Sequence, residues 1–79
     1  MFIKAELKHL EDIIKIEQAV FKQPWSQVHF IKDLKHDVGY NVVCIIDANC
    51  IGYIFGYIIQ DEFHLNNIAI DQKFQRKGF

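Results

Sequence analysis

Strongly biased charge, long apolar runs, proline and cysteine are scarce in this 79-residue sequence. Nine Lys and Arg stand against ten Asp and Glu, for a formal charge of −1. That balance argues against a direct nucleic-acid partner, since proteins that grip phosphate backbones carry a basic excess. It leaves room for one local basic pair, Arg76 and Lys77. No apolar run approaches the roughly 20 residues of a membrane-spanning helix, which argues against a membrane partner. The opening MFIKAELKHLED lacks the cationic-then-apolar order of a secretory signal, and its acidic residues argue against a transit peptide. Cys44 and Cys50 are the only cysteines. They are too few for the disulfide framework of a small secreted domain, and their spacing fits no zinc or redox motif. They read as buried or free thiols in a reducing, cytoplasmic setting. Proline occurs once, and no linker, repeat or low-complexity tract divides the chain.

What is present describes one small packed domain. Hydrophobic residues make up 51% and charged residues 24%, the balance of a globular rather than a disordered chain. Its length works against it, because small domains bury a smaller share of their surface. Seven Phe lead an aromatic content of 14%, which points to a core or pocket rich in rings.

Periodicity and punctuation give the order of elements. Phe2 to Glu6 reads as a first strand. Leu10, Ile13, Ile14, Val20 and Phe21 follow the spacing of one helical face. Glu17 falls on that face. It reads as the edge of the apolar stripe, with a pocket lining as the alternative. Pro24 closes this helical segment, and Ser26 is positioned to cap a second helix. Trp25 and Phe30 then occupy the two positions of a hydrophobic staple, and Phe30, Ile31 and Leu34 form the inward stripe. YNVVCIID, IGYIFGYII and FHLNNIAI read as three strands, joined at DANC and QDE. Gly52 and Gly56 lie four apart and share a side of their strand, which suggests a need for room, such as a helix packed close. Strand, two helices and an antiparallel three-strand meander make the fold class α+β. His9 reads as a surface residue. His29 and Asp33 read as a solvated helix face, since two ligands alone make no metal site. No Ser/His/Asp or Cys/His nucleophile system is present.

The ending AIDQKFQRKGF carries the chemistry. A strand ends at Ile70, a short connection carries Gln75 and Arg76, and Gly78 lets backbone approach a ligand. A helix beginning there would turn its free N–H groups and its dipole toward an anion such as phosphate. IAIDQKFQRKGF resembles the acetyl-coenzyme A motif of the GNAT N-acetyltransferase superfamily, Gln/Arg-x-x-Gly-x-Gly/Ala after the fourth strand. Gln75, Arg76, Lys77 and Gly78 match its first four positions, Phe79 takes the variable fifth, and the final Gly/Ala is absent. IEQAVFKQPWS and NIAI resemble the branch that acetylates ribosomal-protein alanine.

The resemblance spans Ile3 to Phe79 and corresponds to the N-terminal half of that fold. It implies a single partial domain over residues 1–79, cut within the pyrophosphate motif, with acetyl-CoA as co-substrate. It also implies a role for each matching position. Ile68, Ala69 and Ile70 would offer backbone to the pantetheine arm, while Gln75, Arg76, Lys77, Gly78 and Phe79 would hold the pyrophosphate. Phe21, Pro24 and Trp25 would wall the acceptor site. Transfer in the family is direct attack of an amine on the thioester, with a base, an oxyanion donor and an acid. The branch's glutamate base and tyrosine acid lie beyond Phe79. Histone-acetylating relatives place a base on the fourth strand, at the position of His64, for which a partly buried strand histidine or a peptide contact is the alternative. The expected acceptor is a protein N-terminal alanine or serine. A small amine, or a non-catalytic remnant serving as a pairing module, is the alternative. The expected partners are a separate C-terminal half or a second copy at the exposed strand edge.

Overall fold

The computed structural model of the chain describes residues 1–75. Chain order is β1 (Phe2–Lys4), a 3-10 turn (Leu7–His9), α1 (Leu10–Val20), α2 (Gln27–Leu34), β2 (Gly39–Ile46), β3 (Asn49–Ile59), β4 (Glu62–Ile70) and the helical turn α3 (Gln72–Gln75). The strands form one antiparallel sheet in the order β1-β2-β3-β4, so the expected meander gains β1 as an outer strand.

Each hairpin turns on two residues with positive φ, Asp47 (52°) and Ala48 (66°) in the first, Gln60 (51°) and Asp61 (64°) in the second. This is the left-handed pair that matches the right-handed twist of the flanking strands. Asn49 already belongs to β3, and its amide donates to the Asp47 carbonyl at 3.1 Å.

Both helices lie on one face of the sheet. Ile13 and Ile16 of α1, Phe30 of α2, Val43 of β2, and Tyr53 and Phe55 of β3 are buried together. The Phe30 ring meets Tyr53 at 5.8 Å and Phe55 at 5.2 Å, both edge-on, the arrangement that ring quadrupoles favour. α2 starts as its sequence indicates. The Ser26 hydroxyl accepts the His29 N–H at 3.2 Å, and Trp25 packs on Phe30 with centroids 5.1 Å apart. α1 stops at Val20, four positions before Pro24, because Phe21 turns extended (φ −112°, ψ 141°). Phe21 is thus outside the helical stripe, and Ile16 is inside it.

Three expectations are corrected. His9 is buried, because its Nδ1 accepts the Glu6 N–H at 3.0 Å and closes a capping box between β1 and α1. Glu17 is no stripe edge: it is 1% exposed. Gly52 and Gly56 face away from the helices, where β4, not a helix, crowds them. A Cβ at Gly52 would lie 2.9 Å from the Ala69 carbonyl oxygen, and one at Gly56 would collide with the Phe63 ring. An aromatic laid over a strand glycine is a known way to cover it.

The ladder is broken twice. Pairing passes from Cys44↔Gly52 to Ile45↔Cys50, leaving Ile51 extra on β3. It passes from Phe55↔Asn67 to Gly56↔Leu65, leaving Asn66 extra on β4. The second bulge bears on the site.

Candidate functional site

A bulge turns two neighbouring side chains toward one side of a sheet, where regular alternation would separate them. At Asn66 and Asn67 both carboxamides reach toward the helices. Asn67 Nδ2 donates to Glu17 Oε1 at 2.9 Å, and Asn66 Nδ2 donates to Asp33 Oδ2 at 3.0 Å. Each carboxylate also takes a tyrosine from β3. The Tyr53 hydroxyl donates to Glu17 Oε1, and the Tyr57 hydroxyl donates to Asp33 Oδ1 at 2.8 Å. Glu17 Oε2 accepts a third donor, the Trp25 main-chain N–H, at 2.8 Å.

These bonds satisfy charges that burial would otherwise penalise. Asp33 is 5% exposed, so of the two residues expected on a solvated helix face it packs inward, while His29 is exposed as expected. Burial first, and then the bond to Glu17, pushes the Tyr53 hydroxyl far above the ordinary tyrosine range. Tyr57 is raised as well, chiefly by its bond to Asp33. Both phenols stay protonated and keep donating at neutral pH.

Toward its C-terminal end, β4 carries the residues expected beside a pantetheine arm. Ala69 is 6% exposed and opposite Tyr53, whereas Ile68 and Ile70 point to the other face. There they line an apolar groove of about 460 Å³ with Cys44, Ile46, Gly52 and Ile54. Among the described residues no strand pairs with the outer side of β4.

The connection after Ile70 forms α3. The Asp71 carboxylate accepts the Lys73 N–H at 2.9 Å, and Gln72 Nε2 donates to the Ala19 carbonyl at 3.2 Å, tying the turn to α1. Gln75 Nε2 donates to the Ile70 carbonyl at 2.8 Å, so its side chain closes the end of β4. The other positions expected at the pyrophosphate, Arg76, Lys77, Gly78 and Phe79, lie outside the described residues.

The residues expected to wall the acceptor differ in exposure. Phe21 and Pro24 are exposed and Trp25 is half-buried. Trp25 stacks on the His29 imidazole at 3.7 Å with an interplanar angle of 7°. Beside it, a cleft of about 420 Å³ is lined by Ser26, His29, Lys32, His36 and Tyr57, among others.

His64 is an exposed strand residue opposite Tyr57, 3.8 Å from Glu62, so the partly buried reading is corrected. Five residues of strand, about 16 Å, separate it from Ala69. Among the described residues no three His, Cys, Asp or Glu side chains are grouped to hold a metal ion. No described helix is long and apolar enough to cross a membrane.

Sequence reasoning missed Tyr53, Tyr57, Asn66 and Asn67, and missed the burial of Glu17 and Asp33. One signal was available. Asn is depleted in strands, and an Asn-Asn pair inside an apolar strand marks a local break.

An antiparallel sheet with two helices on one face, a bulged last strand and a polar turn at its end defines the class of protein. The profile of the Acetyltransferase (GNAT) family matches residues 10–79, and the chain belongs to that family. A comparison with curated proteins finds no match.

Among solved structures, the chain is similar to the ribosomal-protein-S18-alanine N-acetyltransferase from Escherichia coli. The TM-score is 0.88 at 26% identity, over 99% of this chain and 50% of that one. It thus spans about half the length of that enzyme and corresponds to its N-terminal half. Two aminoglycoside acetyltransferases share the fold. One is a 6'-N-acetyltransferase from Acinetobacter haemolyticus, with a TM-score of 0.73 and 13% identity, over 99% of this chain and 61% of that one. The other, from an uncultured soil metagenomic sample and solved with sisomicin, has a TM-score of 0.68 and 20% identity, over 99% and 60%.

Proposed function

We propose that this chain is the N-terminal part of an acetyl-CoA-dependent N-acetyltransferase whose acceptor is a protein N-terminal alanine or serine. The observation that carries the reading is the likeness to the S18-alanine enzyme, which extends over nearly the whole chain. The site agrees with it. Among the described residues no strand covers the outer side of β4 beside Ile68, Ala69 and Ile70, and a turn held by Gln75 follows directly. The described residues therefore fit an acetyl-CoA arm running along β4, and the sequence motif alone assigns Arg76, Lys77, Gly78 and Phe79 to the pyrophosphate. Acetyl-CoA supplies the thioester.

In the transfer, the acceptor nitrogen forms a bond to the acetyl carbon and the bond from carbon to sulfur breaks. A proton leaves the amine and a proton reaches the departing thiolate. Phe21, Pro24 and Trp25 orient the acceptor chain. The base and the acid belong to the remainder of the fold, which is consistent with the chain spanning half of its structural neighbour. His64 lies on the exposed part of β4 as a peptide contact.

The 79 residues alone would be inactive, would bind coenzyme A weakly, and would pair through the open edge of β4 with a C-terminal half or a second copy. The protein works in the cytoplasm.

The test is thiol release by the full-length gene product with acetyl-CoA and peptides starting with Ala or Ser. Acetylated peptide is the expected result, and Trp25→Ala should raise the peptide KM about tenfold with the acetyl-CoA KM unchanged. Acetylation of an aminoglycoside but not of either peptide would overturn the acceptor assignment.

A further inference from the structure

Glu17 and Asp33 come from different helices, yet they meet the sheet on one plan. A buried helix carboxylate accepts a tyrosine hydroxyl from β3 and a carboxamide from the β4 bulge. The two carboxamides belong to consecutive residues, Asn66 and Asn67. Among the described residues neither carboxylate takes part in an ion pair. Their charge is met by neutral donors with a defined direction.

A buried carboxylate is costly unless it is hydrogen-bonded, and one use of such a group is to fix a particular geometry. Glu17 fixes more than one element. Through Oε1 it holds Asn67, and through Oε2 it holds the main chain of Trp25. One rigid carboxylate therefore spans from the loop expected to wall the acceptor to the strand expected to hold the thioester.

We infer that Glu17 is a positioning residue that sets the separation between the Trp25 loop and the β4 bulge, with Asp33 anchoring the bulge's other residue. The inference rests on the acetyltransferase reading for its catalytic consequence. Misplacing reacting groups by about 1 Å can cost 100-fold in rate, and the clamp prevents that displacement. It acts through Trp25 and Asn67 and touches neither reactant.

Glu17→Gln is the test, because it keeps the shape and replaces one acceptor oxygen by an NH2 group facing donors. In the full-length gene product, kcat for the peptide should fall 10- to 100-fold while the acetyl-CoA KM stays within twofold. Adding Asn67→Asp reverses the polarity of the broken bond, since the carboxamide now on α1 can donate to the carboxylate now on β4. The double variant should restore at least a tenth of the lost kcat. A purely space-filling Glu17 predicts no such rescue.

The second arm needs no activity. Trp25 is the sole tryptophan, so its fluorescence and the exchange rate of its amide report the loop directly. Glu17→Gln should speed that exchange about tenfold and redden the emission, and Asn67→Ala should change the emission in the same direction. Asn67→Ala serves as the reporter variant if Glu17→Gln does not fold. Full activity in Glu17→Gln, or Trp25 emission indifferent to Asn67→Ala, would overturn the clamp. A wild type inactive on every amine, with Trp25 and Asn67 still coupled, would overturn the functional reading and keep the clamp.

Discussion

Cys50 shows how burial alone changes a side chain's chemistry. It lies in the core beneath α1, and removal from water, ahead of any neighbouring charge, pushes its thiol from 9.0 up to about 11. The thiolate is the reactive form, so a shift of that size lowers its population about 100-fold near neutral pH. Alkylation of the folded chain by iodoacetamide should therefore mark Cys44, which is half-buried, long before Cys50. Equal labelling of the two would contradict the burial. The same shift has a consequence for stability. Between pH 9 and 11 the unfolded chain has lost the Cys50 proton and the folded chain still holds it, so folding binds protons and stability falls as pH rises through that window. Below pH 9 the contribution is fully present. The urea midpoint should drop across this window, and Cys50→Ala should flatten the drop. Tyr53, raised in the same direction, extends the loss above pH 10, where unfolded tyrosines ionise. None of this could be read from spacing, because the burial of Cys50 depends on where α1 lies over β3.

Among elements, the ones with local signals were legible and the ones with distant causes were not. Ser26, Trp25 and Phe30 announce α2 within six residues, and the cap and the staple are both in place. Two of the three partners of Glu17, Tyr53 and Asn67, lie 36 and 50 residues away. Its burial is consequently a property of the assembled sheet, invisible in the spacing of a helical stripe. Gly52 and Gly56 were legible as positions that need room but not as to what fills it, since the crowding groups sit across the strand pair on β4. Local signals also predict energies. Ser26→Ala removes the acceptor for the His29 N–H and should lower stability by about 1 kcal/mol. The first hairpin should respond in the opposite sense. Ala48 holds φ at 66°, a left-handed conformation that costs a residue with a Cβ about 1 kcal/mol. Ala48→Gly creates an Asp-Gly turn, the favoured pair for this geometry, and should raise the urea midpoint by the equivalent of roughly 1 kcal/mol. A lower midpoint in Ala48→Gly would show that chain entropy outweighs the relief.

For the molecule as a whole, the balance between its two faces decides behaviour. The Cα radius of gyration is 12.2 Å, close to the about 11.6 Å expected of a compact chain of this length. The helices cover one side of the sheet, and the other presents Phe2, Tyr40, Phe63, Leu65 and Ile68, of which Phe2 is 66%, Leu65 58% and Ile68 47% exposed. Monomeric proteins rarely leave a contiguous apolar patch larger than a few hundred Å², and β4 adds an edge with no described neighbour, the kind of edge that templates pairing. Two different surfaces could then drive association of the 79-residue chain, and substitutions separate them. Charges at Leu65 and Ile68 repel a second apolar face but leave the β4 main chain able to pair. Light scattering of the isolated chain should show species larger than a monomer at micromolar concentration, together with binding of a hydrophobic dye. If the face dominates, Leu65→Lys with Ile68→Lys should abolish both signals. If the edge dominates, the dye signal should vanish and the larger species persist, because backbone pairing is indifferent to which side chains flank it. A chain that is monomeric and dye-silent without any substitution would contradict both, and would mean that the exposed rings and aliphatics are too dispersed to act as one surface.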